Sequence, residues 1–195
     1  KTGRKGNKMK HFKKTMIGSI AVAAVFIVGG SYAWASTSDK ELDNSDPDKI
    51  EVTEEEALDT FADEYGKKVE SIELEPTRDG YVYEVESYDN ETEYNTDIDA
   101  ASGDIIDNRS DKDDEDDDEE ETRYELNQKD AISQKEATDI AEKEANSGKA
   151  REWKLERVSD DKQTWEVNVL EKGNETEVTI DAENGEVLEV EEDDD

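Results

Sequence analysis

Cysteine is absent from all 195 residues. No disulfide framework, Cys-ligated zinc or thiolate nucleophile can form, and no lipid can be attached through a cysteine. Histidine occurs once, as His11, inside a lysine-rich leader. A Ser-His-Asp triad, a His-rich metal centre and imidazole acid–base chemistry have no candidate in the rest of the chain. Positive charge is also short, with 24 basic against 58 acidic residues and a net of −34. Residues 1–35 contain seven of the bases and no acid. The remaining 160 residues therefore carry 17 basic and 58 acidic side chains, a net of −41. Such a surface repels phosphate, which excludes nucleic acid and anionic lipid as unaided partners. Apolar side chains are few as well, at 31% overall, and many of them sit in the leader.

The leader has a clear polarity. Lys1, Arg4, Lys5, Lys8, Lys10, Lys13 and Lys14 precede an uncharged run from Thr15 to Ser38, whose apolar heart is Ile17–Val28. Upstream lysines keep that side in the cytoplasm and send everything after Ser36 outward. Two readings stand. Ala33-Trp34-Ala35 fits an A-x-A cleavage site, which makes residues 1–35 a secretory signal. Alternatively, residues 17–35 remain as a membrane anchor, because 19 uncharged residues suffice to span a bilayer. Cleavage after Ala35 is the expected outcome.

Beyond a polar linker at 36–49, two patterned stretches, 50–108 and 130–190, flank an acidic linker at 109–129. That linker holds nine consecutive acids, Asp113–Glu121, and is expected to be extended, disordered and unpacked. The chain ends in an acidic tail, 191–195. The patterned stretches are copies of each other. Val52-Thr53-Glu-Glu-Glu56-Ala57 matches Ile132-Ser133-Gln-Lys-Glu136-Ala137. Each is a capping box opening a helix, with Val52 or Ile132 placed as a hydrophobic staple. Helical spacing predicts that Ala57, Leu58, Phe61, Ala62 and Tyr65 are buried in the first copy. Ala137, Ile140, Ala141 and Ala145 play that part in the second.

Alternating strands follow in both copies. Ile72-Glu-Leu74 matches Trp153-Lys-Leu155; Tyr81, Tyr83 and Val85 match Trp165, Val167 and Val169. Asp99-Ala-Ala-Ser-Gly103-Asp and Asp181-Ala-Glu-Asn-Gly185-Glu read as tight hairpins, with aspartate accepting local N–H groups and glycine taking positive φ. A short last strand completes each copy, Ile105-Ile106 or Val187–Val190. The expected fold is α+β, two tandem small domains, each one helix packed on an antiparallel β-meander. Each domain is expected to fold alone. The first is expected to be the weaker, because its last strand reads as shorter.

These motifs, in this order and repeated, resemble the PepSY domain. The second copy carries them most fully, in Ser133–Ala141, Trp165-Glu-Val167 and Asp181–Leu188. The first carries them in Thr53–Ala57, Tyr83-Glu-Val85 and Asp99–Asp104. The resemblance implies an exported, non-catalytic bacterial protein, secreted or in the cell envelope, that binds and inhibits or otherwise modulates an extracellular protease. No H-E-x-x-H peptidase motif is present, so such a target would act in trans. The alternative is an acidic cell-surface protein with a structural or cation-buffering role and no protease partner.

Other chemistry finds little support. Carboxylates are so frequent that no pair stands out for acid–base work, and little apolar surface remains to split two pKa values. An EF-hand alignment starting at Asp97 puts Gly103 at position seven and Asn108 at position twelve, where glycine at six and glutamate at twelve are needed. Structural hairpins are expected there, with loose divalent cations at most along the acid run. No cofactor is expected. Thr53, Glu56, Asp99, Gly103, Ser133, Glu136, Asp181 and Gly185 are expected to build the scaffold. Phe61, Tyr81, Tyr83, Trp153 and Trp165 are expected as core beneath the helices, and Tyr88, Thr164, Glu166 and Asn168 as outward-facing surface.

Overall fold

A computed structural model describes residues 47–89, 92–112 and 123–192. The leader, most of the first linker, the nine-acid run and the last three residues lie outside the described residues. Among the described residues no helix is long and apolar enough to cross a membrane.

Each repeat starts with a capped helix. Thr53 has extended backbone; its hydroxyl accepts from the Glu56 N–H at 3.3 Å, and the Glu56 carboxylate accepts from the Thr53 N–H at 2.9 Å. Ser133 and Glu136 repeat this at 3.3 and 3.1 Å. The helices are α1, Glu54–Glu64, and α2, Gln134–Glu144. Eleven residues are too few for a stable isolated helix, so packing must hold them. Ala57, Phe61, Ala137 and Ala141 are fully buried against the sheet. Leu58, Tyr65, Ile140 and Ala145 are half-buried, but Ala62 is exposed. Ala62 lies about 100° around the helix from Phe61, on the edge of the buried stripe, and a helix resting on a flat sheet leaves that edge in water.

Eight strands follow in two sets of four: β1 Lys68–Pro76, β2 Tyr81–Asp89, β3 Thr92–Asp99 and β4 Ile105–Lys112, then β5 Lys149–Ser159, β6 Lys162–Glu171, β7 Asn174–Asp181 and β8 Val187–Glu192. Each set is an antiparallel meander with one helix on it. The two meanders join edge to edge. The sheet order is β4-β3-β2-β1-β5-β6-β7-β8, and β1 pairs antiparallel with β5. Residues 37–195 thus form one compact unit. Strand alternation identifies strands but says nothing of which open edge meets which, so this junction is not readable from the pattern.

Both helices lie on the same face of the sheet. One row of side chains beneath them runs Ile98, Tyr83, Leu74, Trp153, Val167, Val178. The next runs Thr96, Val85, Ile72, Leu155, Trp165, Ile180. Every member of both rows is buried. The core is continuous across the two repeats.

Two further expectations change, besides that for Ala62. The closing strand of the first repeat is the longer one, eight residues against six in β8. Its sequence, Asp107-Asn-Arg-Ser-Asp-Lys112, lacks apolar alternation; the ladder with β3 holds it, and ion pairs add to that. Arg109 bridges Asp97 at 2.8 Å, Glu84 at 3.4 Å and Asp107 at 3.5 Å. The stretch 109–129 is also structured at both described ends. The Leu126 N–H donates to the Val69 carbonyl at 2.8 Å. Fully buried Gln163 clamps Asn127, its Nε2 donating to the Asn127 carbonyl at 2.9 Å and its Oε1 accepting from the Asn127 N–H at 3.2 Å.

A shared core predicts shared melting. Leu74→Ala, at the junction, should destabilise by about 2–5 kcal/mol. Calorimetry at pH 6 should show one transition that moves as a whole. Two transitions, only one of them shifted, would mean that the repeats melt independently.

Candidate functional site

The residues singled out from sequence are brought together as scaffold. The segments entering the helices are pinned to the sheet twice. The Val52 N–H donates to the Ala100 carbonyl at 2.9 Å and the Ile132 N–H to the Ala182 carbonyl at 2.6 Å. From beneath, the Tyr83 hydroxyl donates to the Val52 carbonyl at 2.9 Å, and the Trp165 indole N–H to the Ile132 carbonyl at 3.0 Å. Phe61, Tyr81, Tyr83, Trp153 and Trp165 are all at most 5% exposed. The Trp153 indole N–H donates to Thr138 Oγ1 of α2 at 2.8 Å.

The two hairpins are built alike. Asp99 Oδ1 accepts from the N–H groups of Ala101 and Ser102, at 3.1 and 2.7 Å. Asp181 Oδ1 accepts from those of Glu183 and Asn184, at 3.0 and 3.2 Å. Gly103 and Gly185 take φ of 77° and 75°, a region that only glycine enters without strain. A Cβ on Gly185 would also lie 3.2 Å from Ile140 Cδ1, so the turn packs tightly under α2. These aspartates are occupied by backbone donors. Among the described residues no group of three metal-ligating side chains is arranged around a common point.

Between the two helix starts lies a cleft of about 500 Å³, lined by Ile50, Val52, Tyr83, Lys129, Ile132 and Lys135 among others. It carries both charges on mixed walls.

The distinctive surface is the sheet face turned away from the helices. One row crosses all eight strands: Asp107, Asp97, Glu84, Glu73, Lys154, Glu166, Thr179, Glu189. The adjacent row runs Arg109, Asn95, Glu86, Ser71, Glu156, Thr164, Asp181. In the first row six of eight positions are acids, served by Lys154 and, from the second row, by Arg109. Neighbouring side chains on a sheet stand close, so this crowding perturbs titration. Burial raises the carboxyls of Glu84, Asp97 and Glu166 above the ordinary range, with Arg109 or Lys154 opposing it. Burial also works against the Lys154 ammonium, but Glu156, at 3.0 Å, with Glu86 and Glu73 outweighs it and keeps the lysine charged.

Of these residues only Glu166 and Thr164 stand out from sequence as surface candidates, and Thr164 is buried, at 4% exposed. A signal exists in the i, i+2 acids of each strand, such as Glu73 and Glu75 or Glu84 and Glu86. In a chain with 58 acids it cannot be separated from background until strand register lines the acids up.

A family model described as Peptidase propeptide and YPEB domain, PepSY, matches twice, at residues 51–109 and 131–191. The crystal structure of a protein from Clostridium difficile 630, classed there as a lipoprotein, is similar to this chain. It has 28% sequence identity and a TM-score of 0.64, covering 74% of this chain and 95% of the other. No curated protein matches.

The hairpin geometry gives a direct test. Asp181→Ala leaves two exposed backbone N–H groups to water and should cost about 0.5–1.5 kcal/mol, read by urea denaturation. Calcium and magnesium at equal concentration should shift the melting temperature of the parent equally. A rise produced by calcium alone, lost in Asp181→Ala, would show that the turn is a calcium site.

Proposed function

The chain belongs to the PepSY family, and from that membership we propose that it is a non-enzymatic exported protein that binds and restrains an extracellular protease. The observation that carries this reading is the family match over both repeats. Export is supported by the basic-then-apolar leader and by the similar lipoprotein.

Two surfaces suit such docking. The open sheet face offers rows of carboxylates to a basic partner, and charge of one sign speeds encounter in a salt-sensitive way. Among the described residues the edge strand β8 has no neighbour on its outer side. Its Leu188 and Val190 are 40% and 43% exposed. A protease cleft accepts an extended strand, and strand addition supplies main-chain hydrogen bonds while such side chains enter pockets. The second repeat, which carries this edge and the fuller motifs, makes most of the contact.

The test is inhibition of secreted peptidases from the same organism by residues 36–195. Inhibition should weaken as salt rises from low to moderate, because the charged contribution is screened. Leu188→Asp on β8 should weaken it more than Ile106→Asp on β4. Normal folding with no complex and no inhibition of any of them would overturn the proposal in favour of an acidic surface protein with a structural or cation-buffering role.

A further inference from the structure

The junction between the repeats is short. Strands β1 and β5 share four residue pairs, Ser71–Leu74 against Trp153–Glu156, where β1 and β2 share eight. It is built about a pseudo-twofold axis. Ile72 corresponds by motif to Trp153 and Leu74 to Leu155, while Ile72 faces Leu155 and Leu74 faces Trp153. Glu73 and Lys154 therefore correspond to each other and also face each other.

Carboxyl groups flank this junction on both sides of the sheet. On the open face stand Glu73 and Glu75. On the helix face Glu54, only 8% exposed, lies beside Leu74, Tyr83, Trp153 and Trp165. Its Oε1 is buried without a hydrogen-bond partner among the described residues.

We propose that this junction is a proton-dependent clasp. With Glu54, Glu73 and Glu75 neutral the two meanders hold as one sheet; as these carboxyls ionise, the β1–β5 pairing opens before either repeat unfolds.

The charges around each group support this. Glu54 is pushed up to about 7, by burial first and by Glu55 second, against a hydrogen bond from Gln128. Glu54 also lines the wider cleft between the helix starts, together with Glu51, Tyr83, Lys129 and Lys135. Lys135 is engaged by Asp139 at 2.6 Å. Glu73 is raised to about 7 by burial, with Glu152, Glu84 and Glu86 adding to it and Lys154 opposing. Glu75 reaches about 8: burial leads, and Glu73, Glu84, Glu152 and Asp97 all push the same way.

Elsewhere on the face a cation opposes the rise, Arg109 at Glu84 and Asp97 and Lys154 at Glu166. The least compensated carboxyl, Glu75, is on β1 beside the junction. A group whose pKa rises on folding contributes stability that is complete below its unfolded value, near 4.5, and is lost as pH rises through its folded value. The window here is from about 4.5 to about 8.

Hydrogen exchange of residues 37–195, the compact unit, tests the proposal at pH 6 and pH 9 after correction for intrinsic rates. Protection of Ile72–Leu74 and Trp153–Leu155 should fall about tenfold or more relative to β6 and β7, because a pKa that differs by one between the closed and open junction changes their equilibrium tenfold. Trp153 and Trp165 are the two tryptophans of this unit, so emission should shift over the same range. The triple variant Glu54→Gln, Glu73→Gln, Glu75→Gln should abolish both changes. If the triple variant fails to fold, Glu75→Gln alone should remove part of the loss. An equal fall at junction and outer strands, or an unchanged pH profile in whichever variant folds, would overturn the clasp.

Discussion

Pairing of β1 with β5 is the contact on which the rest of the molecule depends. Each meander by itself is four strands and one eleven-residue helix, and domains of about 60 residues bury too little surface to be more than marginally stable. Joined, they bury two unbroken rows of side chains that cross from Ile98 to Val178 and from Thr96 to Ile180. An unpaired β1 would also expose main-chain groups that invite aggregation. Fusion removes two of the four open edges and leaves β4 and β8 outermost.

The pseudo-twofold arrangement explains a difference between the copies. Two identical repeats joined this way would set the residue on the axis against itself. Glu opposite Glu, or Lys opposite Lys, repels. Here the first copy has Glu73 and the second Lys154, and the two face each other. Divergence of the copies thus removed a like-charge pair from the centre of the junction. The surrounding acids still crowd it on the open face. The connection between repeats adds a second tie, with Leu126 on Val69 and Asn127 held by Gln163.

Local features were legible because short-range chemistry decides them. A hydroxyl three residues before a glutamate closes the boxes at Thr53 and Ser133 whatever surrounds them. Asp99 with Gly103, and Asp181 with Gly185, specify their turns in the same way. Tyr81, Tyr83 and Val85 announce a buried strand face by alternation alone. Features set by distant partners were not legible. Beyond Ile106, β4 reads as polar chain and becomes strand by pairing with β3, where Arg109 meets Asp97 and Glu84 from other strands. Glu54 reads as a solvated acid in a first helical turn, favoured there by the helix dipole; its burial comes from residues of both repeats, Leu74 and Tyr83 with Trp153 and Trp165. The carboxylate rows exist only once registry places Asp97, Glu84 and Glu73 side by side.

Nuclear Overhauser contacts across the junction, in residues 37–195 at pH 6, test the fused sheet most directly. One eight-stranded sheet predicts cross-strand backbone contacts linking Ile72 with Leu155 and Leu74 with Trp153, comparable in strength to those linking Leu74 with Tyr83 inside the first repeat. Strong contacts within each meander, with none between β1 and β5, would show two tethered domains and contradict the shared core.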